Sequence, residues 1–459
     1  MRALTIVKQK GQVSIIVALS LVALIGAVGL ATDSGIAYLI KAKLNAAVDS
    51  AGLAAGRAVS QGASANDQIA NAQAAAQTFF AANYPANYMG STVVFNNPTV
   101  TLNGGQATID AAASVTVPVS LMGAVGFNLL TLGSTSETLR KNLDLAFVVD
   151  TTGSMNVGNV PALVRAGAIS FLNKLSQNDD RVALIQFAYG ALVLDQINPV
   201  QRGFNLASLT AHVNAFNFGG STNSAEGIWN ARDQLNNKIA SANRSSLRVI
   251  VFLSDGSPNS FSSFFTFANP ADCTLAGTIS TSDSTSSNAP SGLLNPNLLN
   301  TPLGGTCSQA QIANSASAHH ISQLPLWYNA HNINEQIFPI VTNTPRVVTQ
   351  DTSTQAIAWT NVNNASRNLL EAMAAQSRAE GIYVFTLGLD GTGLSTPSGP
   401  NSETGDTVLK CMANTGDALP RCQATGIGQP VGVYCHAINA NALIPCFDQL
   451  ASAILRITK

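Results

Sequence analysis

The chain has 459 residues, long enough for two or three domains, and its 23 basic and 24 acidic side chains leave a net charge of −1. That balance excludes the electrostatic footprint of a nucleic-acid binder, so no nucleic-acid partner is expected. Charged residues are only 10% of the chain, against roughly 25% in ordinary soluble domains, and the small polar residues that replace them suit an envelope or cell-surface protein.

Residues 11–32 carry no charged side chain, and Val13 to Ala31 is almost wholly apolar. A helix of that length spans about 30 Å, the thickness of a bilayer core. Arg2, Lys8 and Lys10 precede it and favour a cytoplasmic N-terminus, while Lys41 and Lys43 behind it weaken that bias. Gly29-Leu30-Ala31 offers the small residues a signal peptidase needs, but the apolar core exceeds the usual length of about 7–15 residues, so a retained anchor is expected. Either way, the chain beyond it is exported. From Thr32 to about Phe80 the pattern stays helical, with Ile36, Leu39, Ile40, Leu44, Ala47 and Val48 at helical spacing and a second helix over about Asn66 to Ala82.

Lys8-Gln9-Lys10-Gly11-Gln12-Val13-Ser14, the apolar span, Ala31-Thr32-Asp33-Ser34-Gly35-Ile36-Ala37-Tyr38 and the run Leu44 to Ala55 together resemble the N-terminal domain of TadG-like Tad/Flp pilus-assembly proteins. The resemblance covers roughly residues 8–60. It implies a single-pass protein of the bacterial inner membrane, N-terminus cytoplasmic, working with other pilus-assembly components. After Gly11, Ile16 stands where type IV pilins carry a Glu, so a processed filament subunit is not expected.

Residues 91–137 read as short strands at Thr92–Val94, Pro98–Leu102, Ala107–Ala111 and Ser114–Val119, with a turn at Asn103-Gly104-Gly105. The expected organisation is therefore a helical anchor domain over 1–83, a small β-rich stalk over 84–140, and an α/β domain over 141–459 with an insertion at about 257–365. Within the last, strands are expected at Leu145–Val149, Arg181–Phe187, Leu192–Ile197, Leu247–Leu253 and Ile382–Leu389. Helices are expected at Val160–Leu175, Leu206–Phe216, Ser224–Leu235, Leu369–Ala379 and Phe447–Ile457. Alternating strands and helices predict a doubly wound, mostly parallel sheet.

All six cysteines lie in this last domain, an even number that fits disulfides in an oxidising compartment. Cys273 and Cys307 could close a loop worth roughly 3–4 kcal/mol, and of fifteen connectivities the local pairs Cys411–Cys422 and Cys435–Cys446 are the simplest. Without C-x-x-C spacing, structural zinc is not expected.

Two apolar strands end in carboxylates. Leu145 to Val149 stops at Asp150, followed by Thr151, Thr152, Gly153 and Ser154; Leu247 to Leu253 stops at Ser254-Asp255-Gly256. Between them a Gly219-Gly220-Ser221-Thr222 loop precedes a helix. Each feature alone is an ordinary cap or turn. Together, three loops on one sheet edge offer hard oxygen donors, as Mg²⁺ requires, with Mn²⁺ and Ca²⁺ as alternatives.

Asp150-x-Thr152-x-Ser154, then Thr222, then Asp255-Gly256 are similar to the metal-ion-dependent adhesion site of von Willebrand factor type A domains, over residues 143–256 and 366–457. The usual first Ser is here Thr152. The resemblance implies direct ligation by Thr152 and Ser154, Thr222 joining when a partner binds, Asp150 and Asp255 acting through water, and a protein or surface partner that offers a carboxylate.

Other chemistry is weaker. His319, His320 and His331 could seat zinc, but exposed or capping histidines are expected. Asp179-Asp180-Arg181 reads as a solvated turn. Phe261 to Phe267 and Trp327-Tyr328 suit a binding rim or a core equally. No G-x-S-x-G elbow or phosphate-loop Lys is present, so the expected function is non-enzymatic: metal-dependent adhesion or assembly. The alternatives are a scaffold whose metal only stabilises and, third, an envelope hydrolase.

Overall fold

The computed structural model describes residues 12–59, 65–103, 106–119, 122–126, 128–245, 247–282, 291–390 and 394–457. Arg2, Lys8 and Lys10, and the turn glycines Gly104 and Gly105, lie outside them. The chain divides into two compact units, residues 1–140 and 141–459.

In the first unit, helix α1 (Gln12–Ala58) runs unbroken for 47 residues. Its early turns expose their apolar side chains, with Ile16 66% and Leu24 67% accessible, and by length and composition the segment Val13–Ala58 contains enough apolar helix to cross a membrane. From Ile40 onward the same helix has a buried face: Ile40, Leu44, Ala47, Val48, Ala51 and Ala55 recur every three or four residues. Helix α2 (Ala65–Asn83) adds Ala72, Ala76 and Phe80.

Strands β1 (Thr92–Phe95), β2 (Thr99–Asn103), β3 (Gln106–Pro118) and β4 (Leu129–Lys141) form one sheet, in which β3 pairs with all the others. The strands expected at 107–111 and 114–119 are the single strand β3. Its Ala107, Ile109, Ala111, Ala113, Val115 and Val117 alternate inward and share one core with both helices. The boundary expected at 83/84 therefore does not separate two cores. Alanine-rich helix faces and a one-sided sheet each lack a partner until they pack on one another. Helix α1 approaches β4 so closely that a Cβ at Gly52 would lie 2.7 Å from the Thr138 hydroxyl.

The second unit begins with β5 (Leu143–Asp150), α3 (Val160–Leu172), β6 (Arg181–Phe187), β7 (Ala191–Asp195), α4 (Leu206–Asn214), α5 (Ser224–Asn236) and β8 (Leu247–Ser254). An insertion follows with four short strands, β9 (Ser260–Ser263), β10 (Thr266–Phe267), β11 (Gly277–Ser280) and β12 (Ile321–Gln323). The chain closes with α6 (Gln355–Ala379), β13 (Ile382–Leu389), α7 (Gly405–Ala413), α8 (Pro420–Thr425), β14 (Tyr434–Ala437) and α9 (Leu443–Ile457). The main sheet has the order β14-β13-β8-β5-β6-β7 and is parallel except for β7, which runs antiparallel to β6. Every residue of β5 and β6 is buried, as strands covered on both faces must be. Apolar residues of α3, α4 and α9 cover one face; those of α5, α6, α7 and the insertion cover the other. This is a doubly wound, mostly parallel α/β fold.

The insertion is part of that second core. Phe261, Phe265, Phe267 and Tyr328 are buried in it, which settles them as packing residues. It also ends earlier than expected, because α6 starts at Gln355. The asparagines of its first turns look like loop in sequence, but Thr354 caps the helix by accepting from Ile357 N–H. Asn361 then donates to Thr349 Oγ1 and Asp351 O, and Asn364 to Val347 O, so their burial is satisfied. All six cysteines pair, as Cys273–Cys307, Cys411–Cys422 and Cys435–Cys446. Arg181 is not on a solvated turn: it is 1% exposed and doubly hydrogen-bonded to the fully buried Asp144.

Candidate metal centre

Strands β5 and β8 lie side by side and parallel, with Val149 opposite Leu253. Since β6 follows β5 on one side and β8 lies on the other, their carboxyl ends flank the point where the strand order reverses, the place where α/β sheets bind ligands. Asp150 ends β5, Ser254 ends β8, and Asp255 follows directly. The Asp150 side chain is fully buried. One of its oxygens accepts the Thr152 N–H at 2.9 Å and the other the Ser254 hydroxyl at 2.6 Å. Beyond Thr152 a short 3₁₀ turn, Gly153–Met155, brings the next hydroxyl round to the same side. Thr152 Oγ1 lies 3.0 Å from Ser154 Oγ, which donates to Asp255 Oδ1 at 2.8 Å.

Thr222 reaches the site through its loop. Gly219 N–H donates to Thr151 O at 2.8 Å, and Gly153 N–H donates to Gly220 O at 3.0 Å. Gly220 has φ +92°, and a Cβ there would also collide with Tyr189 and Asn300, so only glycine fits. Asn223 caps α5 behind the loop, its side chain accepting from Glu226 N–H. Thus Asp150, Thr152, Ser154 and Asp255 form one hydrogen-bonded chain, and the Thr222 loop is laced to it by backbone.

The donor set fits a hard dication. Neighbouring corners of a Mg²⁺ octahedron with bonds of about 2.1 Å lie about 3.0 Å apart, the spacing of the Thr152 and Ser154 hydroxyls. Burial pushes the Asp150 carboxyl above its ordinary range, partly offset by hydrogen bonds from Ser254, Thr152 and the Asp255 N–H, all neutral donors. A nearby dication would stabilise the carboxylate where neutral donors only partly do so. Asp255 is 2%, Thr152 1% and Thr222 6% exposed, so the residues that carry these oxygens are buried.

The family model described as von Willebrand factor type A domain matches residues 144–274. The second unit has a type A fold. The match runs from β5 through all five candidate ligands into the insertion. Similar solved structures include the pilus adhesin SpaC of Lactobacillus rhamnosus GG, at 14% identity over 80% of this chain and 35% of that chain, TM-score 0.40. The vWF domain of the type V pili tip protein Mfa5 of Porphyromonas gingivalis is similar at 15% identity over 70% and 97%, TM-score 0.37. The PilB minor pilin of Streptococcus sanguinis is similar at 13% over 80% and 79%, TM-score 0.39. This chain thus spans about a third of the SpaC chain. No curated protein matches it.

Sequence reading missed Ser254 as a partner of Asp150 and Asn259 as a partner of Thr222; both stand in a stretch that reads only as a turn. The histidines do not converge. His319 lies 3.4 Å from Asp272, whereas His331 Nε2 lies 2.8 Å from Glu226 and stacks on Trp229. Among the described residues one group of Glu371, Cys411 and Cys422 has metal-like spacing, but its sulfurs are bonded to each other.

Glu226 is fully buried at the start of α5 and receives Tyr328 OH at 2.7 Å as well as His331, so it ties the insertion to the type A core. Burial opposes charging His331, but the charge and hydrogen bond of Glu226, with Glu335 and Asp233 behind it, raise the imidazole above its ordinary range. A raised folded-state value means stabilisation that is full below about pH 6.5 and is lost as pH rises from there through the raised folded-state value. The urea midpoint of the full chain is expected to fall between about pH 6 and pH 8, and His331→Gln to flatten that slope. Equal slopes in both proteins would assign the pH dependence elsewhere.

Proposed function

We propose that this protein is a membrane-anchored, exported, metal-dependent adhesion or assembly protein. Thr152, Ser154 and Thr222 hold Mg²⁺, with Asp150 and Asp255 orienting the hydroxyls and supplying the negative charge behind them. The neutral hydroxyls leave the cation under-neutralised, so when bound it supplies an open position for a carboxylate of a protein or surface partner. The observation that carries this reading is the set of oxygens 2.8–3.0 Å apart at the switch point of the sheet. The role is binding, not catalysis.

The exposed apolar turns of α1 support a single membrane span, and three disulfides agree with an oxidising exterior. With the N-terminal resemblance, they favour the bacterial inner membrane, N-terminus inside, and service to a Tad/Flp-type pilus alongside its other assembly components. The test is calorimetry on the full chain in nanodiscs, titrated with Mg²⁺, Mn²⁺ and Ca²⁺. One site that prefers Mg²⁺ or Mn²⁺, and binds a carboxylate-bearing peptide only when metal is present, is the expected result. No cation binding by any of the three would overturn it.

A further inference from the structure

The insertion leaves the type A core directly behind Asp255, and its first ordered contact returns to the other metal loop. Asn259 Oδ1 accepts the Thr222 N–H at 2.9 Å, and Asn259 N–H donates to Thr222 O at 3.1 Å. One side chain and one peptide group thus hold both polar atoms of the Thr222 backbone. Asn259 is itself fixed: it is 7% exposed, Ser260 Oγ donates to the same Oδ1 at 2.9 Å, and Thr281 N–H donates to its carbonyl at 3.0 Å. The clamp continues on either side. Asn223 donates to Ser262 Oγ at 2.9 Å and to Tyr189 O at 2.8 Å. The Tyr189 and Ala191 N–H groups donate to Leu299 O and Pro296 O, at 3.0 and 2.9 Å.

We infer that Asn259 is a positioning residue for the cation site: it sets the Thr222 hydroxyl toward the metal, and through it the insertion controls that loop. A two-point hold matters here because the loop runs through Gly219 and Gly220, whose backbone has little restraint of its own. A threonine hydroxyl swings by more than a bond length when its backbone rotates, enough to leave a coordination sphere that tolerates about 0.2 Å. Outer partners of metal ligands are commonly worth about 10–100-fold in affinity. The inference rests on the metal-binding reading above, and the experiment separates the two.

Mg²⁺ affinity is measured by calorimetry on the full chain in nanodiscs for wild type, Asn259→Ala, Thr222→Ala and the double variant. Amide exchange at Thr222 is followed in chelator. The expected results are about a 10-fold loss for Asn259→Ala, no further loss when it is added to Thr222→Ala, and faster exchange of the Thr222 N–H in metal-free Asn259→Ala. A merely structural residue would lower affinity equally in both backgrounds, and that outcome overturns the inference. So does wild-type affinity in Asn259→Ala. If wild type binds no cation, the metal reading falls and this inference with it, whereas a binding wild type beside an unaffected Asn259→Ala removes this inference alone.

Discussion

Asp150→Asn is expected to lower Mg²⁺ affinity by roughly 10–100-fold without lowering the melting temperature of the metal-free protein. The substitution keeps the shape and an oxygen for the Thr152 N–H. It removes a buried charge that only neutral groups compensate. Thermal scans of the full chain with Mg²⁺ and with chelator read both effects at once. At 100 times its Kd a ligand adds about 2.7 kcal/mol of stability, whereas a variant that binds 100-fold more weakly retains about 0.4 kcal/mol. The same variant separates adhesion from scaffolding. If partner binding disappears while metal-free stability is unchanged, the cation is functional. If partner binding survives, the metal is only structural.

Asp144→Ala is expected to destabilise the second unit by about 3–5 kcal/mol, the cost of stripping a buried cation of its partner. Asp144 sits at the amino end of the sheet, far along β5 from Asp150. It accepts two hydrogen bonds from Arg181, one from Arg202 at 2.8 Å and one from Ser245 N–H at 2.6 Å. Removing it leaves the guanidinium of Arg181, 1% exposed, with only backbone carbonyls of Asn198 and Asn243. Urea unfolding followed by circular dichroism would show the loss as a lower midpoint. A midpoint within experimental error of wild type would mean that Arg181 finds water on local opening. Mg²⁺ affinity of the folded fraction should be unchanged, because the two carboxylates lie at opposite ends of the strand.

The central strands, the long apolar helix and the oxygen-bearing residues at the strand ends were legible because each is written locally. An apolar run that stops at a carboxylate needs no distant information to be recognised as a buried strand with a polar end. The three disulfide pairs were legible for a similar reason: two of them join cysteines only 11 residues apart. Arg181 was misread because its neighbours in sequence, Asp179 and Asp180, look like its partners, while its real partner is Asp144 on the next strand. The first turns of α6 were misread because buried asparagines have no local signature; their acceptors lie in the insertion. Strand β14 was missed because four residues, among them the disulfide-bonded Cys435, acquire strand geometry only by pairing with β13.

Sequence by itself determined the type of fold, the presence of a membrane-length apolar helix and the identity of the oxygens at the ends of β5 and β8, since hydrophobic periodicity and side-chain chemistry are properties of neighbouring residues. Tertiary structure alone decided which groups stand together: that α1, α2 and the first sheet share one core, that Tyr328 and His331 of the insertion close on Glu226, and that Asn259 grips Thr222. The reason is common to all three. A hydrogen bond or a packed face joins residues tens of positions apart at no visible cost in local pattern, so only the folded chain shows the pairing.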